Sequence, residues 1–517
     1  VKPGERRAAL AGLLVLYAAS RLVGLDVLPA FIDENWHIVW ADSIAEGHRL
    51  LRPWQSGKWL SVVAMAQVLP WFDKSLVEAG RLLTAAFGAL TLLATWGLAR
   101  RLYDDGTALV AGVFYVLCPF TLFYDRLALT DPVMSTFAAL TLLASVQLAQ
   151  AGRARDGLLA GLALAATVLT KALGVMLSFV PAAAWLALAR PLRRRIGALG
   201  LAYAVAAGLL AWPLWIFFGV SGAVRQAVGD SMGGPLEGLA RNLWVVQDWV
   251  VGWWTLPLLL LALLGTAAAV ARRQPSGLLL TAVWTVPLAL LLPTATHWYP
   301  RYLLFMAVPT LILAARALMA LAGWVAARLR PPSRLWRLSL PAVATALALI
   351  PSLQIDADLW TQPSRAPLPT IERVQFIDGW PSGYGVRETV AFLTAELERR
   401  PEGITVVMNS GSRPTTRLAL NVASRREPRL HRRDLPLQDR GVVPLLERWA
   451  RERPTFLVVS QMKGGLARPT PQAWGHLVVG RALETRKPDG GLCDQIYRLA
   501  EPSALRGGEE ERSSSQR

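Results

Sequence analysis

Apolar runs of near-bilayer length recur along the first two thirds of the chain, each closed by a cluster of Arg, Pro or Gly. They fall at about 8–29, 80–98, 107–124, 132–149, 157–173, 175–189, 196–218, 253–271, 277–293, 302–322 and 338–353. A helix needs about 20 apolar residues to cross a hydrocarbon core of ~30 Å, so the pattern predicts about eleven transmembrane helices. Pro181 interrupts one run and allows the 157–189 pair to be divided differently. Between the first two runs, residues 32–79 form a loop that is neither fully polar nor continuously apolar. Within it, 38–47 and 59–72 read as short helices lying in the membrane interface, with Trp and Lys flanking apolar faces. A span at 59–72 would be short and would invert the charge bias of every later loop.

Past residue 352 the period changes. Strand-like runs at 404–408, 455–459 and 477–479 alternate with helical stretches at 388–400 and 442–453, which predicts a small α/β domain over 354–505. Residues 506–517, rich in Gly, Glu and Ser, read as a disordered tail. The expected fold class is therefore a polytopic α-helical membrane protein, with a transmembrane domain over 1–353 and a C-terminal extracytoplasmic α/β domain. No internal repeat is evident.

Composition supports that class. A chain of 517 residues with 53% hydrophobic and 17% charged residues is too apolar for an ordinary soluble protein, and its 21 Trp suit the membrane interface. The net charge of +18 is carried largely by Arg dispersed in short loops, so nucleic acid is not an expected partner. The two cysteines, Cys118 and Cys493, imply no disulfide framework and have no His or Cys neighbours at metal-ligand spacing. Lys2, Arg6 and Arg7 precede a run that superficially resembles a signal peptide, but the run is long and lacks a small-x-small site near Ala30. It reads as a retained first membrane helix.

Cytoplasmic loops hold the excess of Lys and Arg. With the N-terminus inside, alternate loops carry Arg100-Arg101, Arg153 with Arg155, Arg190 with Arg193-Arg194-Arg195, Arg272-Arg273, and Arg328, Arg330, Arg334 and Arg337. The opposite loops carry Asp33-Glu34, Asp125-Arg126 with Asp131, a 219–252 loop with Asp230, Glu237 and Asp248, and His297-Trp298-Tyr299. Multi-pass insertion in a plasma or inner membrane with the C-terminal domain outside is the expected arrangement.

The chemistry-bearing residues converge on that outer face. Asp33 and Glu34 follow the first apolar run directly; ionisable groups near hydrocarbon are usually functional, although a solvated helix end also accommodates them. Asp131 lies at the turn between the third and fourth runs and Lys171 at the outer end of the fifth, where it is either a cation for a phosphate, a partner for Asp131 or an interface anchor. Lys58, between Gly57 and Trp59, suits an anionic headgroup, as does the Arg301-Tyr302 pair; interfacial Lys–Trp pairs also occur without a ligand. His37 and His297 are lone histidines, more often structural than catalytic.

Asp33-Glu34, the turn Arg126-Leu127-Ala128-Leu129-Thr130-Asp131-Pro132, Leu169-Thr170-Lys171 and Arg301-Tyr302-Leu303 together resemble the bacterial membrane glycosyltransferases of the GT-C fold. The groups meant are the protein O-mannosyltransferases, the aminoarabinose transferases of lipid A and the related lipopolysaccharide-core transferases, and the likeness covers about residues 1–325. It implies transfer of a sugar from a polyprenyl-phosphate-linked donor, with inversion, to an acceptor hydroxyl on a lipid, glycan or protein. It further implies Asp33 as general base, Glu34 and Asp131 as residues shaping the site, and Lys58, Lys171 and Arg301 as ligands of the leaving phosphate, with His37, Arg126 and Tyr302 as further candidates. A carboxylate base and cations for a departing phosphate are what such chemistry requires. The family often has Lys-Pro-Pro where this chain has Lys58-Trp59-Leu60, and the Trp-Trp-Asp-Tyr-Gly type of signature of oligosaccharyltransferases is missing, since Trp253-Trp254 leads into Thr255-Leu256.

Over the outer domain the resemblance is poor; the Gly379–Gly385 loop reads either as a structural turn or as a lining of the acceptor path. No metal site is assigned and a divalent ion is left open, because hard-ion sites need more oxygen ligands than the sequence identifies. The rival reading is a transporter of a lipid-linked saccharide, which would place its charges nearer the midplane, often in repeated halves.

Overall fold

The computed structural model describes residues 2–48, 52–72, 76–189, 195–216, 238–295, 298–329, 334–409, 412–437, 439–460 and 474–500. The expected loop residues Asp230, Glu237 and His297 and the expected disordered tail lie outside them. Two compact units emerge. One comprises Val1–Val27 with Ser43–Pro369, the other Leu28–Asp42 with Thr370–Arg517.

The first unit is helical and belongs to a multi-pass membrane protein. Six described helices are long and apolar enough to cross a bilayer: Leu76–Leu102, Thr130–Ala151, Ile196–Trp215, Pro275–Thr294, Pro300–Leu329 and Ser339–Thr361. Two bent pairs, Asp105–Leu117 with Pro119–Asp125 and Leu239–Trp254 with Leu256–Ala271, bring the number to eight if each is one span. The expected eleven is thus not reached by length and composition. The helix Ala154–Thr170 has 17 residues and Val180–Leu188 has nine, while the apolar part of Pro3–Leu22 is bracketed by Glu5, Arg6, Arg7 and Arg21.

The bends have identifiable causes. Pro119 starts the second helix of the first pair, which turns by 60°. At the 110° bend of the second pair, Thr255 adopts φ 54°, a conformation that L-residues with a Cβ seldom take, and its hydroxyl meets that of the buried Ser352 at 3.3 Å. Small residues let neighbouring helices approach closely: Gly157 and Gly161 lie directly against the Ala198 and Ala202 backbone, so a side chain there would force Ala154–Thr170 and Ile196–Trp215 apart. Hydroxyl pairs tie other helices together, Thr91 to Thr136 at 2.8 Å and Thr141 to Thr167 at 3.1 Å.

The second unit contains a five-stranded sheet ordered β2-β1-β3-β5-β4, with β1 Ile404–Asn409, β2 Leu430–Leu435, β3 Thr455–Ser460, β4 Val478–Arg486 and β5 Leu492–Leu499. The first three strands run parallel and the last two pair antiparallel. All six residues of β1 are buried because both faces are covered. Ile404, Val406 and Met408 pack with Leu393, Leu397 and Leu420 on one side, and Val407 packs with Leu446 and Ala450 on the other. The helices expected at 388–400 and 442–453 appear as Val386–Glu398 and Val443–Glu452. β2, β5 and the helix Pro414–Arg426 were not foreseen. β2 reads Leu-His-Arg-Arg-Asp-Leu, the charged sequence of an edge strand, and hides its strand character behind polar side chains.

Candidate active site

Asp131 stands in the first turn of Thr130–Ala151, where the helix N-terminus favours an anion, and it is 2% exposed. Two cations face it across neighbouring elements. Lys171 caps the C-terminus of Ala154–Thr170 in an extended conformation, and its Nζ donates to Asp131 Oδ1 at 2.5 Å. Arg301 lies in the 3₁₀ segment Pro300–Met306, and its Nε comes within 4.0 Å of Asp131 Oδ2. Both cations are set against aromatic rings. Lys171 Nζ is 3.7 Å from the Tyr302 ring centroid and the Arg301 guanidinium 4.3 Å from that of Tyr299, with Tyr299 and Tyr302 meeting edge to face.

An interrupted helix makes part of this possible. Because Ala154–Thr170 stops at Thr170 and the chain continues as the 3₁₀ segment Ala172–Leu177, Ala172 N–H is released from the helix and donates to Gly57 O at 3.0 Å. Lys58, the next residue, is half-buried and is thereby joined through the backbone to the residue beside Lys171. Trp54 and Trp59 stack at 4.0 Å on either side of this turn. Lys171 and Arg301 thus converge on the one carboxylate of Asp131, and their ammonium and guanidinium groups are donors of the kind an anion requires.

The second unit holds Asp33, Glu34 and His37 on one helix, Ile32–Ala45. Glu34 is fully buried and its Oε2 accepts the Phe31 N–H at 2.9 Å, capping the helix from within its own first turn. Asp33, one position earlier, keeps intermediate exposure, whereas His37 is buried. The adjacent carboxylates therefore stand in different surroundings.

Arg126 is 7% exposed and reaches backbone carbonyls, donating to Val23 O at 2.9 Å, to Gly24 O and to Leu359 O at 3.5 Å. That geometry fastens the end of Pro3–Leu22 and leaves Arg126 away from the cation cluster's hydrogen bonds. A second charged network, not expected from the sequence, joins the first helix to the 119–125 helix. Arg21 and Asp125 pair at 3.5 Å, with Tyr17 and Tyr115 each donating to Asp125 Oδ2 at 3.1 Å. The available signal was an Arg inside the first apolar run, which is costly unless paired. Tyr299, named in the sequence only as part of a loop, is the other residue that gained a place. Among the described residues, no group of three or more His, Cys, Asp or Glu is arranged to hold a metal ion.

Comparison with known proteins bears on this arrangement. The chain superposes with ArnT of Cupriavidus metallidurans bound to undecaprenyl phosphate over 96% of its own length and 98% of that chain, at 14% identity and a TM-score of 0.58. The fold is that of the GT-C glycosyltransferases. The GT-C likeness extends to the oligosaccharyltransferase of Archaeoglobus fulgidus, with 13% identity, 96% of this chain, 75% of that chain and a TM-score of 0.52. It extends also to the arabinofuranosyltransferase AftD from mycobacteria, with 16% identity, 97% of this chain, 40% of that chain and a TM-score of 0.52. Residues 55–217 match the model of a family described as dolichyl-phosphate-mannose-protein mannosyltransferase; they include Lys58, Arg126, Asp131 and Lys171. No curated protein matches the sequence significantly.

Proposed function

We propose that the protein transfers a sugar from a polyprenyl-phosphate-linked donor to an acceptor hydroxyl at the outer membrane surface, with inversion. The observation that carries this reading is the Asp131–Lys171–Arg301 cluster, in which two cations set against tyrosine rings converge on one buried carboxylate in a unit built from apolar helices. An isoprenoid tail dissolves in the bilayer while its phosphate needs cations, and this cluster offers both surroundings together. The ArnT structure holding undecaprenyl phosphate and the Archaeoglobus enzyme complexed with an inhibitory peptide and dolichol phosphate support the same donor class.

In this reading the acceptor oxygen attacks the anomeric carbon and passes its proton to Asp33, while the sugar–phosphate C–O bond breaks with its electron pair leaving on the phosphate. Lys171, Arg301 and Lys58 stabilise the charge that develops on the departing lipid phosphate. Asp131 holds Lys171 in place, and Glu34 caps the helix so that Asp33 alone of the pair stays accessible to a substrate. The N-terminus would lie in the cytoplasm and the sheet domain outside.

Purified protein in lipid, given a polyprenyl-phosphate-linked sugar, should release polyprenyl phosphate and should ignore nucleotide sugars. Asp33→Asn should lower turnover by ~10²-fold or more, the scale for loss of a general base, with donor binding retained. Movement of intact lipid-linked sugar across sealed vesicles with no glycosidic bond broken would replace this reading with transport, and full turnover in Asp33→Asn would remove Asp33 as the base.

A further inference from the structure

The helix that carries Asp33 belongs to the same compact unit as the C-terminal sheet, although some hundreds of residues separate them in the chain. We infer that the C-terminal domain is the mount of this helix, that the 381–385 loop and Arg426 grip its two ends, and that Arg426 is a positioning residue for Asp33. The inference rests on the reading of Asp33 as the base.

The grip begins at the helix start. Ile32 N–H, which has no partner inside its own helix, donates to Pro381 O at 3.1 Å. Phe31 packs on Phe376 with ring centroids 4.5 Å apart, and both are at most 2% exposed. Gly383 lies so close to Ala30 that a Cβ at this position would sit 2.7 Å from Ala30 N, inside van der Waals contact. This loop can seat the helix only without a side chain at Gly383. At the other end, Asp42, 2% exposed, takes Arg426 Nη2 at 2.9 Å.

The loop is itself fixed from below. Arg413, with no exposed surface, donates to Tyr384 O at 3.1 Å and to Ser382 O at 2.5 Å. Its guanidinium stands 4.0 Å from Asp494 on β5, and Asp494 in turn accepts the hydroxyls of Thr389, Thr416 and Ser460. Lys487 adds a bond to Asp378 O at 2.6 Å on the approach to the loop. Arg413 and Arg426 stand at the two ends of one helix, Pro414–Arg426. At 1.5 Å per residue that helix spans ~20 Å and the stretch from residue 32 to 42 ~15 Å, so one rigid element reaches from the loop grip to the Arg426 grip. A base must be held to within a fraction of an ångström of its acceptor, and displacement by about 1 Å can cost ~10²-fold in rate.

The test uses the full-length protein in lipid with the variants Gly383→Ala, Arg426→Gln and Arg426→Lys, read by amide hydrogen exchange and by steady-state kinetics. Gly383→Ala and Arg426→Gln should raise exchange over residues 32–37 by about tenfold or more while β1 and β3 stay protected. They should lower kcat and leave the donor KM unchanged, and Arg426→Lys, which keeps the cation, should restore both readouts. Wild-type exchange over 32–37 in both Gly383→Ala and Arg426→Gln would overturn the mount. Arg426 lies at the surface end of its helix, so its variants decide the matter if Gly383→Ala does not fold. Raised exchange together with full turnover in Asp33→Asn would uphold the mount and reject Asp33 as base, which separates the two ideas.

Discussion

Two cation–carboxylate pairs at helix ends of the first unit look alike in sequence and differ in surroundings. Arg21 and Asp125 have 0% and 2% side-chain exposure and sit within a closed set of hydrogen bonds: Arg21 donates to Ser20 Oγ, Val116 O, Tyr115 O and Thr121 Oγ1, and Asp125 receives two tyrosine hydroxyls. Lys171 and Asp131 are joined at 2.5 Å, but Lys171 keeps 11% exposure and rests on the face of Tyr302. A buried pair with its hydrogen bonds made fastens helices together. A partly exposed cation on an aromatic wall can take an anion as well as its resident carboxylate. Charge in an apolar chain marks both kinds of site; access and wall chemistry tell them apart.

The largest expected effect tests the closed member of that comparison. Arg21→Met should destabilise the protein by roughly 3–5 kcal/mol, because it strands Asp125 without its cation in a buried site. Thermal unfolding in lipid measures it, and a melting temperature like that of the wild type would break the contrast. At the open member, Lys171→Met should lower turnover by ~10²-fold, on the scale of removing one charge-stabilising donor, with Lys171→Arg milder. Its melting temperature should fall less than that of Arg21→Met. A turnover loss in Lys171→Met that merely tracks the fraction unfolded would make Lys171 a fastener like Arg21. The smallest effect is expected from Tyr302→Leu, which keeps the apolar bulk and removes the ring face. A cation–π contact of ~0.5–2 kcal/mol predicts a loss of roughly two- to thirtyfold in donor use, read from the dependence of rate on donor concentration.

The legible parts of the site are those whose cause is local. Asp33-Glu34 stood out because two carboxylates follow an apolar run directly, and the cap that distinguishes them reaches only three residues back, from Glu34 to Phe31. Loop charge places Asp131, Lys171 and Arg301 on one face and leaves Asp131 as one of three readings for Lys171; the structure makes that pair. Lys171 and Asp131 lie forty residues apart on different helices, and their contact depends on where Ala154–Thr170 ends and turns into a 3₁₀ segment. Arg21 is hard to read from the sequence because one Arg inside an apolar run barely alters local hydropathy. Arg126 was singled out by its place in the turn before Asp131, yet its donors go to carbonyls at the end of the first helix.

By itself the sequence determined which stretches are apolar enough for a membrane, that an α/β domain follows them, and which residues bring charge to the helix ends. These follow from composition and from periods of 2 and 3.6, which are properties of neighbouring residues. Only the tertiary structure decided that Lys171 faces Asp131, that Arg21 closes on Asp125, and that residues 28–42 join the C-terminal sheet rather than the helices on either side of them. The reason is physical: ion pairs, the Ile32–Pro381 hydrogen bond and the close approach of Gly383 to Ala30 depend on how distant elements pack, and no local pattern encodes a partner hundreds of residues away.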